Sequence, residues 1–344
     1  MKKGTKIALL IAAVMIAVGA TLCNIARGRG ESLGALAANG GLSFSAGSFD
    51  MGDQRGYTVC LTGEESFDAA EVRELDIGWL SGSVRVETCE GKRILLREES
   101  PRELAEAQRL RWKLSDGRLS VLFCANRERS MPDKALTLLV PRDWIAGKIA
   151  VEATSADVEL SGLSLRGALD VETTSGGISV LSCGAASLDL ESSSGNILAE
   201  AAVADGELIA EATSGRAEIR GSACRELKLE ATSGDVSAER TTVNDKAKAA
   251  TSSGSVTLTG LPGGCRADVE TTSGDVTLRF DGKPGEINVE TSSGDVTLSV
   301  PRGTELDMDY DSASGQLSGE LHFTPKGVKV RVETSSGDLL IEGN

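Results

Sequence analysis

Histidine is almost missing: His322 is the only one in 344 residues. A multi-histidine zinc centre is therefore excluded, and a Ser-His-Asp triad has a single candidate base. Aromatic residues are also scarce, with 3 Trp, 2 Tyr and 6 Phe. So few large rings imply a narrow interior filled by small aliphatic side chains. Positive charge is in deficit, 36 Lys and Arg against 51 Asp and Glu, and the net charge of −15 argues against nucleic acid as a partner. The 7 cysteines are odd in number and contain no Cys-x-x-Cys pair, which argues against a thiolate metal site. Glycine is what the chain has in excess, 40 residues. With 40% apolar residues the composition is that of a folded chain rich in short strands and turns, not a disordered one.

Charge and aromatics are unevenly spread. Residues 1–149 hold 21 basic and 19 acidic side chains, whereas residues 150–344 hold 15 and 32. Trp79, Trp112 and Trp144 all precede residue 145.

The N-terminus reads as an address. Lys2, Lys3 and Lys6, in the n-region 1–6, precede an apolar run over 7–26. Twenty such residues suffice to span the hydrocarbon layer as a helix, and the lysines put the N-terminus in the cytoplasm. The expectation is a single-pass anchor with the rest of the chain outside the cell membrane. Secretion after signal cleavage near Val18-Gly19-Ala20 is the alternative. Residues 27–63, rich in Gly, Ser and Ala, read as a loosely ordered spacer.

A repeat dominates residues 149–344. Its clearest copies are Val269-Glu270-Thr271-Thr272-Ser273-Gly274-Asp275-Val276 and Val289-Glu290-Thr291-Ser292-Ser293-Gly294-Asp295-Val296. The corner glycines are Gly176, Gly195, Gly215, Gly234, Gly254, Gly274, Gly294, Gly315 and Gly337, spaced by 19 to 22 residues. Apolar residues alternate with polar ones on both sides of each glycine, as in Ile287/Val289 and Val296/Leu298. Each repeat therefore holds two short strands, with Thr-Ser-Gly turning between them and glycine supplying positive φ. One coil cannot bury its own face, so coils must stack. The predicted fold is all-β: a single-chain β-solenoid of about ten coils behind an N-terminal cap, preceded by one transmembrane helix. Hydroxyls at the corners should form ladders.

Residues 64–148 read as that cap with its lead-in strands. Leu75 to Val86 is an early copy of the corner pattern, and Asp116-Gly117 between two apolar runs signals a hairpin. The Asp76-Ile77-Gly78-Trp79-Leu80-Ser81-Gly82-Ser83-Val84 opening, the hairpin, the Val140-Pro141-Arg142 stop and the Glu-Thr-Ser-Ser-Gly-Asp-Val repeats together resemble the bacterial putative-adhesin β-strand-repeat family over residues 64–344. The resemblance implies an envelope protein, often membrane-anchored and in some relatives linked to envelope stress. It implies no catalytic residues, because none is defined for that family.

Two acidic columns stand out. Glu172, Glu191, Glu211, Glu230, Glu270, Glu290 and Glu333 each lie four residues before a corner glycine, and Ala250 breaks the series. Asp235, Asp275, Asp295 and Asp338 follow the glycine. Alternation turns the glutamates outward, where stacking spaces like charges about 5 Å apart. Such a ladder suits a solvated repulsive face, a cationic peptide, or Ca²⁺; the glycine-rich nonapeptide calcium repeat is absent. No cofactor is expected. Asp307, Asp309 and Asp311, near Arg302, form a cluster that would suit a glycan-active site, although alternating Asp is also an ordinary polar strand face. Cys89 and Cys124 are candidates for a bond across the cap. Cys183, Cys224 and Cys265 recur two coils apart, too far for one. The reading is a non-catalytic, adhesin-like surface module, with wall polymer, a surface protein or cationic peptides as candidate partners. An envelope-stress sensor and a glycan-active enzyme are the alternatives.

Overall fold

Strands that alternate small aliphatic and polar residues bury one face and leave the other wet, and this pattern sets the whole architecture. The computed structural model describes residues 43–45, 48–50, 53–126, 128, 131–319 and 322–344. The predicted anchor at 7–26 lies outside them, and among the described residues no helix is long and apolar enough to cross a membrane. Chain contacts define two compact units, one ending at Gly176 and the other Gly177–Asn344.

In the first unit, the Glu74–Cys89 strand runs parallel to Lys148–Ser161, with Ser81 opposite Ser155 and Gly82 opposite Ala156. The early corner copy is thus a true coil. On its other edge it pairs in parallel with Arg118–Leu122 and Lys134–Pro141. Antiparallel strands complete the cap: Arg93–Glu99 pairs with Lys134–Pro141 and with Glu64–Asp68. Asp116 and Gly117, at φ +54° and +83°, turn the hairpin of Arg111–Ser115 and Arg118–Leu122. Residues 27–63 are not spacer alone: Ser43–Ser45 pairs with Ser48–Asp50, and Thr58–Val59 joins the cap at Arg111–Ser115. The charged stretch after Pro101 holds one 3₁₀ turn, Glu106–Gln108. Trp79 is fully buried edge-on to Phe123, their centroids 4.8 Å apart.

The second unit is a parallel β-solenoid. One sheet stacks Ser187–Ser192, Glu207–Ala212, Ala223–Ser233, Thr242–Ser253, Arg266–Ser273 and Ile287–Ser293 in order. A second runs from Ile178–Leu181 to Val296–Val300. The early coils add a third short side, as in Gly184–Ala185 and Val203–Ala204, where only two strands per repeat were expected. The next corner needs a left-handed residue, taken by Ser182, Ala201, Gly221, Arg240 and Gly260 at φ between +51° and +79°. Only the glycines hold that shape without strain.

The corner glycines are required chiefly for closeness. A Cβ on Gly215 would lie 2.1 Å from Gly195 O, and one on Gly294 2.1 Å from Gly274 O. Gly176, Gly215, Gly254 and Gly315 are not in the positive-φ region, so the expected conformational reason applies to Gly234, Gly274, Gly294 and Gly337 alone. The hydroxyl ladder is partial. Ser192 Oγ accepts Gly195 N–H at 2.8 Å, but Thr271, Thr291 and Thr334 have no partner for Oγ1 among the described residues.

The last two coils exchange places. Ile287–Ser293 pairs with Val328–Ser336, and Val328–Ser336 with Leu306–Ser312. The chain lays down Leu306–Gly319 as the outer layer, then inserts its final coil beneath it. The end of this unit is therefore not the final coil, as simple stacking predicts.

Candidate functional site

The glutamate column is real and in register. Glu152 stands opposite Glu172 in the first unit. In the second, Glu191 faces Glu211, which faces Glu230, and Ala250 interrupts before Glu270, Glu290, Glu333 and Asp311. The column is not uniform, however. Glu211 and Glu230 are only 7% exposed. Lys228 Nζ binds Glu211 and lies 3.3 Å from Glu230, and Lys248 approaches Glu230 at 3.7 Å. Burial alone would lower the Lys228 pKa, but its bond to Glu211 and the two carboxylate charges hold it above the ordinary value. These two glutamates are thus neutralised inside the face rather than presented to a ligand. The signal was present in the sequence, since Lys228 sits two positions before Glu230 and Lys248 two before Ala250, in the next coil of the same column.

Beyond Ala250 the column opens. Glu270 and Glu290 have no ion-pair partner among the described residues, while Glu333 is paired with Arg331. Asp268, Glu286, Glu290, Asp307 and Asp309, with Lys329 and Arg331, line a groove of about 440 Å³. Burial, then the charges of Glu333 and Glu270, push the Glu290 pKa above the usual carboxylate range. A carboxyl whose folded pKa is raised destabilises the fold while ionised, and that penalty fades as pH falls through the folded pKa. Glu290→Gln is expected to stabilise the protein at pH 7 by about 0.5–1 kcal/mol, the scale of a like-charge pair. In urea titrations the gain should shrink toward pH 4. A gain equal at both pH values would contradict it.

The aspartate column has another role. Asp275 Oδ1 accepts Asp295 N–H at 3.0 Å, and Asp295 Oδ1 accepts Asp338 N–H at 2.9 Å. Asp338 Oδ1 accepts Gln316 N–H at 2.9 Å, and Asp235 Oδ1 accepts Ser255 N–H at 3.0 Å. Each carboxylate holds a backbone amide of the neighbouring coil, so these residues stitch the corner. Asn196 does the same for Arg216, which explains why Asn can replace Asp there. Asp295→Ala should cost about 1.5–3 kcal/mol and Asp295→Asn clearly less, as measured by denaturation. Equal costs would remove the stitching role.

The remaining candidates fall to plain positions. The described cysteines are all free, including Cys89 and Cys124. Burial pushes the Cys124 thiol up to about 11 and Cys224 to about 12, which makes them poor nucleophiles. Among the described residues no group of three or more His, Cys, Asp or Glu is arranged to hold a metal. Arg302 turns to Gly343 O at 3.4 Å, while Asp307, Asp309 and Asp311 line one edge strand.

A parallel solenoid whose like residues align coil on coil is a repeat protein, with its surface chemistry arranged in rows. The chain belongs to the Toastrack DUF4097 family, whose model matches residues 24–223 and 185–342. Two solved structures are similar to it. One is described as a "putative adhesin" from Bacteroides fragilis, 12% identical over 81% of this chain and 95% of that one, with a TM-score of 0.38. The other is a "putative cell adhesion protein" from Clostridium sporogenes, 9% identical over 82% and 99%, with a TM-score of 0.21. No curated protein matches the chain.

Proposed function

We propose that the chain is a non-catalytic binding and scaffold module of the cell surface, held at the membrane by residues 7–26 and presenting its repeats outside. The observation that carries the reading is the row Glu270, Glu290, Glu333 and Asp311, aligned one per coil along a single sheet. A row of identical charges supports weak contacts made many times over, the regime in which multivalent display gains avidity. Its sign selects basic partners: a basic surface protein or a cationic peptide.

The test is binding of full-length protein in detergent to polylysine and to neutral wall polymer, each at low and high salt. Tight binding of polylysine that weakens as salt rises past 0.1 M, where charges are screened beyond about 10 Å, supports the reading. Polymer binding that survives salt would replace it with glycan adhesion. No binding of either overturns it.

A further inference from the structure

The exchanged coil leaves an edge with a defined pattern. Among the described residues, Leu306–Ser312 pairs along its length on one side only, with Val328–Ser336. On its outer side the chain itself begins a further strand: Leu306 N–H donates to His322 O, and Thr324 N–H to Leu306 O, both at 2.9 Å. That local pairing is parallel and stops after Leu306 opposite Phe323. Strand alternation then turns the backbone groups of Met308, Tyr310 and Ser312 the same way, toward the open side. A row of unpaired backbone groups is a template for another strand.

Two sets of side chains flank this template. Leu306, Met308 and Tyr310 continue the inward face, opposite Val328, Val330 and Val332. Met308 and Tyr310 are half-buried where the equivalent valines are fully buried, and no coil among the described residues covers them. Asp307, Asp309 and Asp311 point to the outer face, in line with the acidic groove that includes Glu286 and Glu290. Phe323, 51% exposed, stands beside the start of the edge.

We infer that this edge receives an extended segment of another protein by strand addition, and that the segment alternates basic and apolar residues. The basic residues would lie over Asp307, Asp309 and Asp311, and the apolar ones would cover Met308 and Tyr310. Backbone pairing supplies affinity and the alternate side chains supply specificity. A second copy of this chain is the wrong occupant, since edge-to-edge pairing would set the same aspartates against one another. The inference rests on the basic-partner reading above and gives it a location.

The probe is a short labelled peptide alternating Lys and Val, titrated against full-length protein in detergent by fluorescence anisotropy. Expected results are saturable binding at one site, no binding of the matching Glu/Val peptide, and at least tenfold loss with Asp309→Asn plus Asp311→Asn. The discriminating probe is the same Lys/Val peptide with its pairing amides N-methylated, which keeps charge and composition but cannot extend a sheet. Loss of binding on N-methylation supports strand addition. Equal binding of both peptides overturns it while leaving the acidic row as a basic-partner surface. Binding of neither overturns the inference, and polylysine binding then decides separately whether the basic-partner reading stands. Self-association of the protein that the peptide competes away would put a second copy on the edge and overturn the assigned occupant.

Discussion

Lys134→Met is expected to destabilise the first unit by about 3–5 kcal/mol, the cost of leaving a buried carboxylate without its counter-charge. Lys134 and Glu98 are buried to 0% and 1% exposure at the side chain, with Nζ 2.6 Å from Oε1. The same ammonium donates to Gln108 O at 2.7 Å and to Phe123 O, so all three of its protons are used. It also lies 4.0 Å from the Phe123 ring centroid and 5.1 Å from that of Trp79. One cation thus ties the Arg93–Glu99 strand, the 3₁₀ turn and the end of the hairpin to Lys134–Pro141. Burial pulls its pKa down, and Glu98 pulls it back up. Removing the charge alone strands Glu98, whose Oε1 retains only Leu110 N–H at 2.9 Å. Lys134→Met combined with Glu98→Gln should therefore recover a substantial part of the loss. Guanidinium unfolding followed by tryptophan fluorescence reads this directly, since all three Trp residues lie in the first unit. A single-variant cost below about 1 kcal/mol would show that the ammonium is not the tie.

Gly274→Ala is the second large effect, expected to exceed about 3 kcal/mol, at the upper end of overpacking costs. The added Cβ would sit 2.0 Å from Gly254 O and 2.5 Å from its carbonyl carbon, in backbone that cannot move without parting two coils. The residue also holds φ at +148°, which L side chains avoid. Separation at this corner would lengthen the flanking parallel ladders of Arg266–Ser273 and Val276–Phe280. Gly184→Ala in the same unit is the control. Nothing lies within 4 Å of its Cβ and its φ is not in the left-handed region, so stability should change by less than about 0.5 kcal/mol. Circular dichroism in a urea series separates the two. Equal costs would mean that crowding between coils at the corner is not what selects glycine there.

Similar reasoning explains why the two acidic columns, alike in the sequence, part in the structure. Both recur at the coil period, so both look like surface rows. The residue after the glycine sits at a sharp turn, where a neighbouring coil's amide points outward and needs an acceptor. The residue four before it sits mid-strand, where the ladder already pairs every amide and the carboxylate is left to its side-chain neighbours. Those neighbours differ from coil to coil: Lys228 beside Glu211, but Asp268 and Asn288 beside Glu270 and Glu290.

The sequence by itself determined the parts of this protein that local chemistry controls. Period-two alternation fixed the two main strands of each coil and their inward faces, the glycine spacing fixed the coil, and Asp116-Gly117 fixed the hairpin, while the third short side of the early coils went unread. These signals suffice because each is decided within a few residues. The resemblance carried by the Asp76 to Val84 opening and the repeats also led to the correct family. Only the tertiary structure decided the order of the last two coils. Every coil offers nearly the same ladder to its neighbour, so sequence says that coils stack and not which one lies outermost. The structure alone also placed Lys134 on Glu98, because an ion pair joining residues 36 apart has no periodic signature. It likewise revealed that the corner glycines answer to a carbonyl in the next coil, a constraint that exists only once two coils lie in contact.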